Sequence, residues 1–165
     1  MHCKQLIVFS LFFLVSIAAV SQEPPKSLSA NARLSAAKSV YLKNTSKSDV
    51  PFSVLEASFE GWPKYFVVRT PEEADLVVQV DAPVETSMIQ EQDGEKKKEE
   101  KPKDLVVTAV KLSVLDSHNH VVLWSASDRP TGKGTKDEKT IAATQRLIEA
   151  FRTRVASAEA AENKQ

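Results

Sequence analysis

Leu105 to Asp116 alternates: Val106, Thr108, Val110, Leu112 and Val114 fall on one side of an extended chain. Successive side chains of a strand point to opposite faces, so this run must lay an apolar face on a core. Val121 to Ser127 repeats the pattern after a short polar break and is its expected hairpin partner. A two-residue turn at His118-Asn119 sets Val114 against Leu123 and Leu112 against Ser125, which mixes core with polar positions. A three-residue turn, Ser117-His118-Asn119, pairs Asp116 with His120, Val114 with Val122, Leu112 with Trp124 and Val110 with Ala126. That register keeps one side apolar and is the expected one. It requires a left-handed residue at the end of the turn, for which Asn119 is suited. His118 is then exposed at the tip, and Trp124 is buried beside Leu112 against the last helix.

The rest of the chain supplies what such a hairpin needs as cover. Ala37 to Lys43 reads as a strand, with Val40 and Leu42 on one face. Asp49 to Glu60 reads as a helix, because Phe52, Leu55 and Phe59 share one side of a 3.6-residue period. Ser48 or Asp49 is its expected cap, Pro51 suits its first turn, and Gly61 followed by Trp62-Pro63 ends it. Tyr65 to Arg69 and Leu76 to Ala82 read as strands, the second with a wetter face of Val77, Gln79 and Asp81. Between them Thr70-Pro71-Glu72-Glu73 is a turn or one helical turn. Thr135-Lys136-Asp137-Glu138 fits a capping box. It opens a helix carrying Ile141, Thr144, Leu147, Ile148, Phe151, Val155 and Ala158 at helical spacing.

The expected fold is therefore α+β. It is a mostly antiparallel sheet of four to five strands with two helices on one face, in the order β-α-β-β-β-β-α. Whether the strands flanking the first helix lie parallel or apart is left open by the pattern. The domain spans residues 37–158. Residues 22–36 read as a flexible tether, residues 90–104 as a mobile charged loop, and residues 159–165 as a frayed tail. Gln90 to Asp104 holds six acids and five lysines and almost nothing apolar, too little to offset chain entropy. Acids on both sides neutralise Lys96-Lys97-Lys98.

The N-terminus reads as a delivery signal. Lys4 precedes an apolar run from Leu6 to Val20, which is short for a membrane span and of the length of a signal-peptide core. Ala19 and Ser21 suit the small positions before a cleavage site, placing the new N-terminus at Gln22. Cleavage after Ala19 and an uncleaved anchor are the alternatives. Removing 21 residues from 165 leaves 144, without cysteine, since Cys3 departs. With Lys4 gone, 21 basic residues face 22 acidic ones, a net charge of −1. Such a chain suits an oxidising compartment but gains no disulfide there. After cleavage no stable membrane anchor is expected. The balanced charge argues against a nucleic-acid partner.

Few residues carry chemistry. His118-Asn119-His120 with Asp116 is the single cluster of ligand type, but a short turn seldom converges three ligands. No metal or cofactor is expected. Gly132-Lys133-Gly134-Thr135 lacks the spacing of a phosphate loop, and plain helix capping is the expectation. Glu72-Glu73 and Glu99-Glu100 read as solvated pairs. Trp124 reads as core, whereas Trp62 suits core or a binding surface equally. With no nucleophile and base in reach of each other, no catalytic residue is assigned and no enzyme is expected.

Three stretches carry a resemblance. Glu73-Ala74-Asp75-Leu76-Val77-Val78 enters a strand, and Leu112-Ser113-Val114-Leu115-Asp116 faces Val122-Leu123-Trp124-Ser125 across a turn. The third is the C-terminal amphipathic helix. Together, over residues 37–158, they resemble small exported bacterial envelope domains of unknown function. These are similar to the amino-terminal domains of TolB-like proteins, the curli-secretion lipoprotein and the lipoprotein activators of penicillin-binding proteins. The chain departs from them in lacking a lipidation cysteine after the apolar run and in carrying the charged insertion. The resemblance implies a scaffold without catalytic residues. The function expected is a non-enzymatic interaction domain of the cell envelope, periplasmic or secreted, with envelope proteins as partners. The alternative is a periplasmic carrier of a small apolar ligand between sheet and helices.

Overall fold

The computed structural model describes residues 28–86 and 105–162. The signal segment, the charged insertion at 90–104 and residues 163–165 lie outside the described residues. The elements are α1 (Ala30–Ala36), β1 (Ser39–Asn44), α2 (Val50–Glu60), β2 (Phe66–Val68), β3 (Leu76–Asp81), β4 (Val84–Thr86), β5 (Leu105–Val107), β6 (Val110–Asp116), β7 (Val122–Asp128) and α3 (Lys136–Glu162). A 3₁₀ turn at Pro71–Glu73 joins β2 to β3.

The main sheet has the order β2-β1-β3-β6-β7. β1 runs parallel to both β2 and β3, and β6 is antiparallel to β3 and β7. The fold is thus α+β as expected, but the sheet is mixed rather than mostly antiparallel. The strands flanking α2 lie side by side and parallel, as a helical crossover permits. β4 and β5 form a separate antiparallel ribbon. The expected single strand from Leu105 to Asp116 breaks at Thr108-Ala109. There the Thr108 N–H and hydroxyl donate to the Pro83 carbonyl, and the chain passes from ribbon to sheet.

Two expectations at the domain ends are corrected. Residues 30–36 of the expected tether are helix, because Leu34 is fully buried and the Ser29 hydroxyl accepts the Ala32 N–H as a cap. The described part has three helices, not two, and its order begins with α1. Residues 159–162 of the expected frayed tail remain in α3. Lys64 Nζ lies 2.5 Å from Glu159 Oε1, and the Ser35 hydroxyl donates to the Glu162 carboxylate.

One face of the sheet carries all three helices. Val40 and Leu42 on β1, Leu76, Val78 and Val80 on β3, and Val110, Leu112 and Val114 on β6 are buried there. Against them pack Leu34 of α1, Leu55 and Phe59 of α2, and Leu147, Ile148, Phe151 and Val155 of α3. Phe151 sits among rings, with centroids 5.3 Å from Trp124, 5.8 Å from Trp62 and 6.3 Å from Phe59. At the start of α3 the capping box closes both ways. Thr135 Oγ1 accepts the Glu138 N–H at 3.2 Å, and Glu138 Oε2 accepts the Thr135 N–H at 2.7 Å. Gly134, at φ +115°, leaves room for that carboxylate, since a Cβ would collide with Glu138.

The β6–β7 hairpin differs from the expected register. Val114 pairs with Trp124, Leu112 with Ala126 and Val110 with Asp128, while Leu115 pairs with Val122. Leu123 is therefore an extra residue, a β-bulge that turns both Leu123 and Trp124 toward the core. The turn is one residue longer than expected. The His120 N–H donates to the Asp116 carbonyl and the Asp116 N–H to the Val121 carbonyl. The left-handed residue is His120, at φ +57°, not Asn119. Trp124 is half-buried against Phe151 rather than fully buried beside Leu112.

Candidate interaction surface

The face of the sheet opposite the helices has a row of its own. β-strand alternation puts Tyr41, Val68, Val77, Leu115 and Val122 on it, because their neighbours in β1, β3 and β6 point to the core. The pairings join these five residues into one line across all five strands: Val68 beside Tyr41, Tyr41 beside Val77, Val77 beside Leu115, and Leu115 beside Val122. With strands about 4.8 Å apart, the line is about 19 Å long. Val77 at its centre is 6% exposed, and Val122 at its end is 55% exposed. The next row along the strands is polar: Lys43, Gln79, Ser113 and Ser125, with the two serine hydroxyls 3.1 Å apart. Beyond it stand Asp81, Lys111 and Ser127.

Asp75 stands on the opposite flank of the row, two residues before Val77, while Asp116, paired with Leu76, turns to the helix side toward Arg33 of α1. Asp75 Oδ2 accepts the backbone N–H groups of Lys38 and Ser39 at 2.7 and 2.9 Å, and the Ser39 hydroxyl. Burial works against its charge, but these donors and the nearby His118 hold the carboxyl below the usual range. Asp116 is similar. Burial opposes its charge, while the His118 N–H, the Arg33 guanidinium at 2.7 Å and the Asn119 N–H keep it ionised to lower pH. Both carboxylates accept backbone N–H groups, and Asp116 also accepts from Arg33, so their work is to fasten β1, α1 and the hairpin turn.

The residues singled out in the sequence scatter. His118 is exposed, with Nδ1 3.8 Å from Asp116 Oδ1 and 3.1 Å from the Ser117 hydroxyl. His120 is exposed, and among the described residues no group of three His, Cys, Asp or Glu could hold a metal ion. Thr135 caps α3, and the Glu138 carboxylate occupies the place where an anion would sit. Glu72 and Glu73 are exposed on the 3₁₀ turn. Trp62 packs 5.4 Å from Phe59 and also lines a surface cleft. Lys96-Lys97-Lys98 and Glu99-Glu100 lie outside the described residues. The apolar row escaped the sequence reading. Its members were visible singly, in the odd places of each strand, but only the register joins them.

No model of a known protein family matches the chain, and no curated protein matches it. Among solved structures it is similar to a PelC dodecamer from Paraburkholderia phytofirmans, at 20% identity over 69% of this chain and 85% of that one, with a TM-score of 0.42. It is also similar to lipoprotein GNA1162 from Neisseria meningitidis, at 15% identity over 73% and 99% of the two chains, TM-score 0.33. A third is protein XCC0632 from Xanthomonas campestris, at 11% identity over 74% and 82%, TM-score 0.37. No helix of the described residues is long and apolar enough to cross a membrane.

Proposed function

We propose that this chain is an exported, non-enzymatic interaction domain of the bacterial cell envelope, and that its helix-free sheet face docks an envelope protein. The observation that carries this is the apolar line Val68–Tyr41–Val77–Leu115–Val122 beside its polar rows. An apolar centre within a polar rim is the anatomy of a protein–protein interface. Charge stands at its margins, on Lys43, Lys111 and Asp81 on one flank and Asp75 on the other, so the partner is a surface with an apolar ridge and a mixed-charge border rather than nucleic acid. Export rests on the apolar run Leu6 to Val20 and the small residues after it. The carrier reading is disfavoured, because Phe59, Phe151, Leu147 and their neighbours fill the layer between sheet and helices.

A photo-crosslinking amino acid placed at Tyr41 or Leu115 in the exported chain tests this in the producing bacterium. One adduct of defined mass is expected from both positions and none from Gln145, on the exposed side of α3. Adducts equal from all three positions, or none from Tyr41 and Leu115, sink the proposal.

A further inference from the structure

A second site stands at the edge of the sheet, on β2, outside the apolar line Val68–Tyr41–Val77–Leu115–Val122. β2 is an edge strand among the described residues, and Phe66 and Val67 are 71% and 44% exposed. The Phe66 N–H donates inward to the Lys38 carbonyl at 2.8 Å. Backbone groups of a strand alternate in direction, so Val67 turns its N–H and C=O outward, where another strand could pair with them. Beside this edge, between the α2–β2 connection and α3, lies a cleft of about 610 Å³.

The lining of the cleft has more cations than carboxylates. Lys38, Lys64 and Arg152 line it with Glu159; Lys64 holds Glu159 and Arg152 holds Glu149. Arg152 is fixed in place: its Cζ lies 5.2 Å from the Trp62 ring centroid, and its guanidinium donates to the Ser58 carbonyl and to Glu149. Lys38 is exposed. Val155, 1% exposed, lies at its floor, and Phe66 stands at its rim on the face it shares with Val68. Lys64 and Arg69 bracket the short strand, so a second copy of this edge would be repelled on approach while an acidic strand is attracted.

We propose that this edge binds an extended acidic peptide segment by strand addition to β2. Main-chain hydrogen bonds to Val67 supply the pairing. One apolar side chain of the segment seats against Phe66 on the helix-free side, and its acidic neighbours, which point to the helix side, meet Lys38 and Arg152.

The test uses the chain lacking its first 21 residues and two acetylated heptapeptides. One is Thr-Val-Glu-Leu-Glu-Val-Thr, and the other carries lysine in place of each glutamate. Calorimetry gives affinity, and ¹H–¹⁵N spectra give location. The acidic peptide should bind, shifting the amides of residues 66–68 and the Trp62 indole, and should weaken several-fold from about 50 to about 300 mM salt. The lysine peptide should not bind. Phe66→Ser and Lys38→Glu, both at exposed positions, should each weaken binding about tenfold while leaving the urea midpoint unchanged. Equal binding of the two peptides overturns the proposal. So do shifts confined to other strands, or no binding of the acidic peptide to the unaltered chain at about 1 mM.

Discussion

Phe151→Ala should be among the costliest single truncations in this domain. The side chain is 0% exposed and sits midway along α3, facing β6 and β7. Its ring lies within 6.4 Å of Phe59, Trp62, Tyr65 and Trp124, centroid to centroid. Transfer of a phenylalanine side chain out of water contributes about 1.5–3 kcal/mol. The void left behind adds to that loss, because four large rings anchored on α2, β7 and the α2–β2 connection cannot all collapse into it. An expected loss of about 4–5 kcal/mol follows, at the upper end for phenylalanine truncations. Phe151→Leu keeps most of the volume and should cost about 1–1.5 kcal/mol. Trp124 touches the same cluster but is half-buried, so Trp124→Ala should cost less, about 2–3 kcal/mol. Urea unfolding followed by far-ultraviolet circular dichroism measures all three without relying on altered tryptophan emission. At a slope of about 2 kcal/mol per molar, Phe151→Ala lowers the midpoint by about 2 M. A Phe151→Ala loss below about 1.5 kcal/mol, or no larger than that of Trp124→Ala, would falsify this account of the core.

Thr135→Ala removes the hydroxyl that accepts the Glu138 N–H and should lower stability by about 1 kcal/mol in the same urea assay. Gly134→Ala should cost at least as much, about 1 kcal/mol or more, because φ is +115° and the new Cβ meets Glu138; an unchanged midpoint would refute the tight box. His120→Gly should raise the thermal midpoint slightly, by about 0.5–1 kcal/mol in free energy, since His120 holds a left-handed φ of +57° and glycine adopts it without strain; a loss would mean the ring has a stabilising contact. The acid limb follows from Asp75, Asp116 and Asp128, the last held low chiefly by Arg146. Folded carboxyls below their unfolded value give stability that is full above about pH 4 and is lost as pH falls through the folded values. Asp116→Asn should flatten that limb in a thermal-midpoint series from pH 7 to 2. At the alkaline end burial, with Glu159 nearby, raises the Tyr65 hydroxyl. The stability it contributes is full below about pH 10 and is lost above that, and Tyr65→Phe should flatten this limb.

The parts legible in the sequence are those whose cause is local. α2 shows in Phe52, Leu55 and Phe59, and the start of α3 in Thr135 and Glu138, because period and cap are written within a few residues. Illegible parts have distant causes. α1 has one large apolar residue, Leu34, too few for a period, and its place is fixed by α3 and by the Arg33–Asp116 pair. The last turn of α3 persists through Lys64 and Ser35, both far upstream in the chain. β4 gave no pattern of its own, and its partner β5 lies beyond the insertion. The hairpin register failed for a subtler reason. Keeping every apolar residue on one face was the right demand, but a bulge meets it too, by letting Leu123 and Trp124 share the core side.

The same distinction bears on what the motif residues do. Asp75 and Asp116, the aspartates in the two strand stretches that carried the resemblance, sit where chain segments meet. Asp75 fastens the start of β1, while Asp116 holds the turn with two backbone N–H groups and reaches Arg33 of α1. A short pattern that marks such joints identifies a scaffold, and scaffolds of one shape host many tasks. The residues that would individualise this protein are elsewhere, on surfaces where no local rule demands them. Tyr41 and Leu115 lie outside the helix-side core, half-buried on the face away from the helices. Phe66 spends a large apolar side chain on solvent beside three cations. Each departs from what folding alone requires, and each falls on a line or an edge that only the assembled sheet creates.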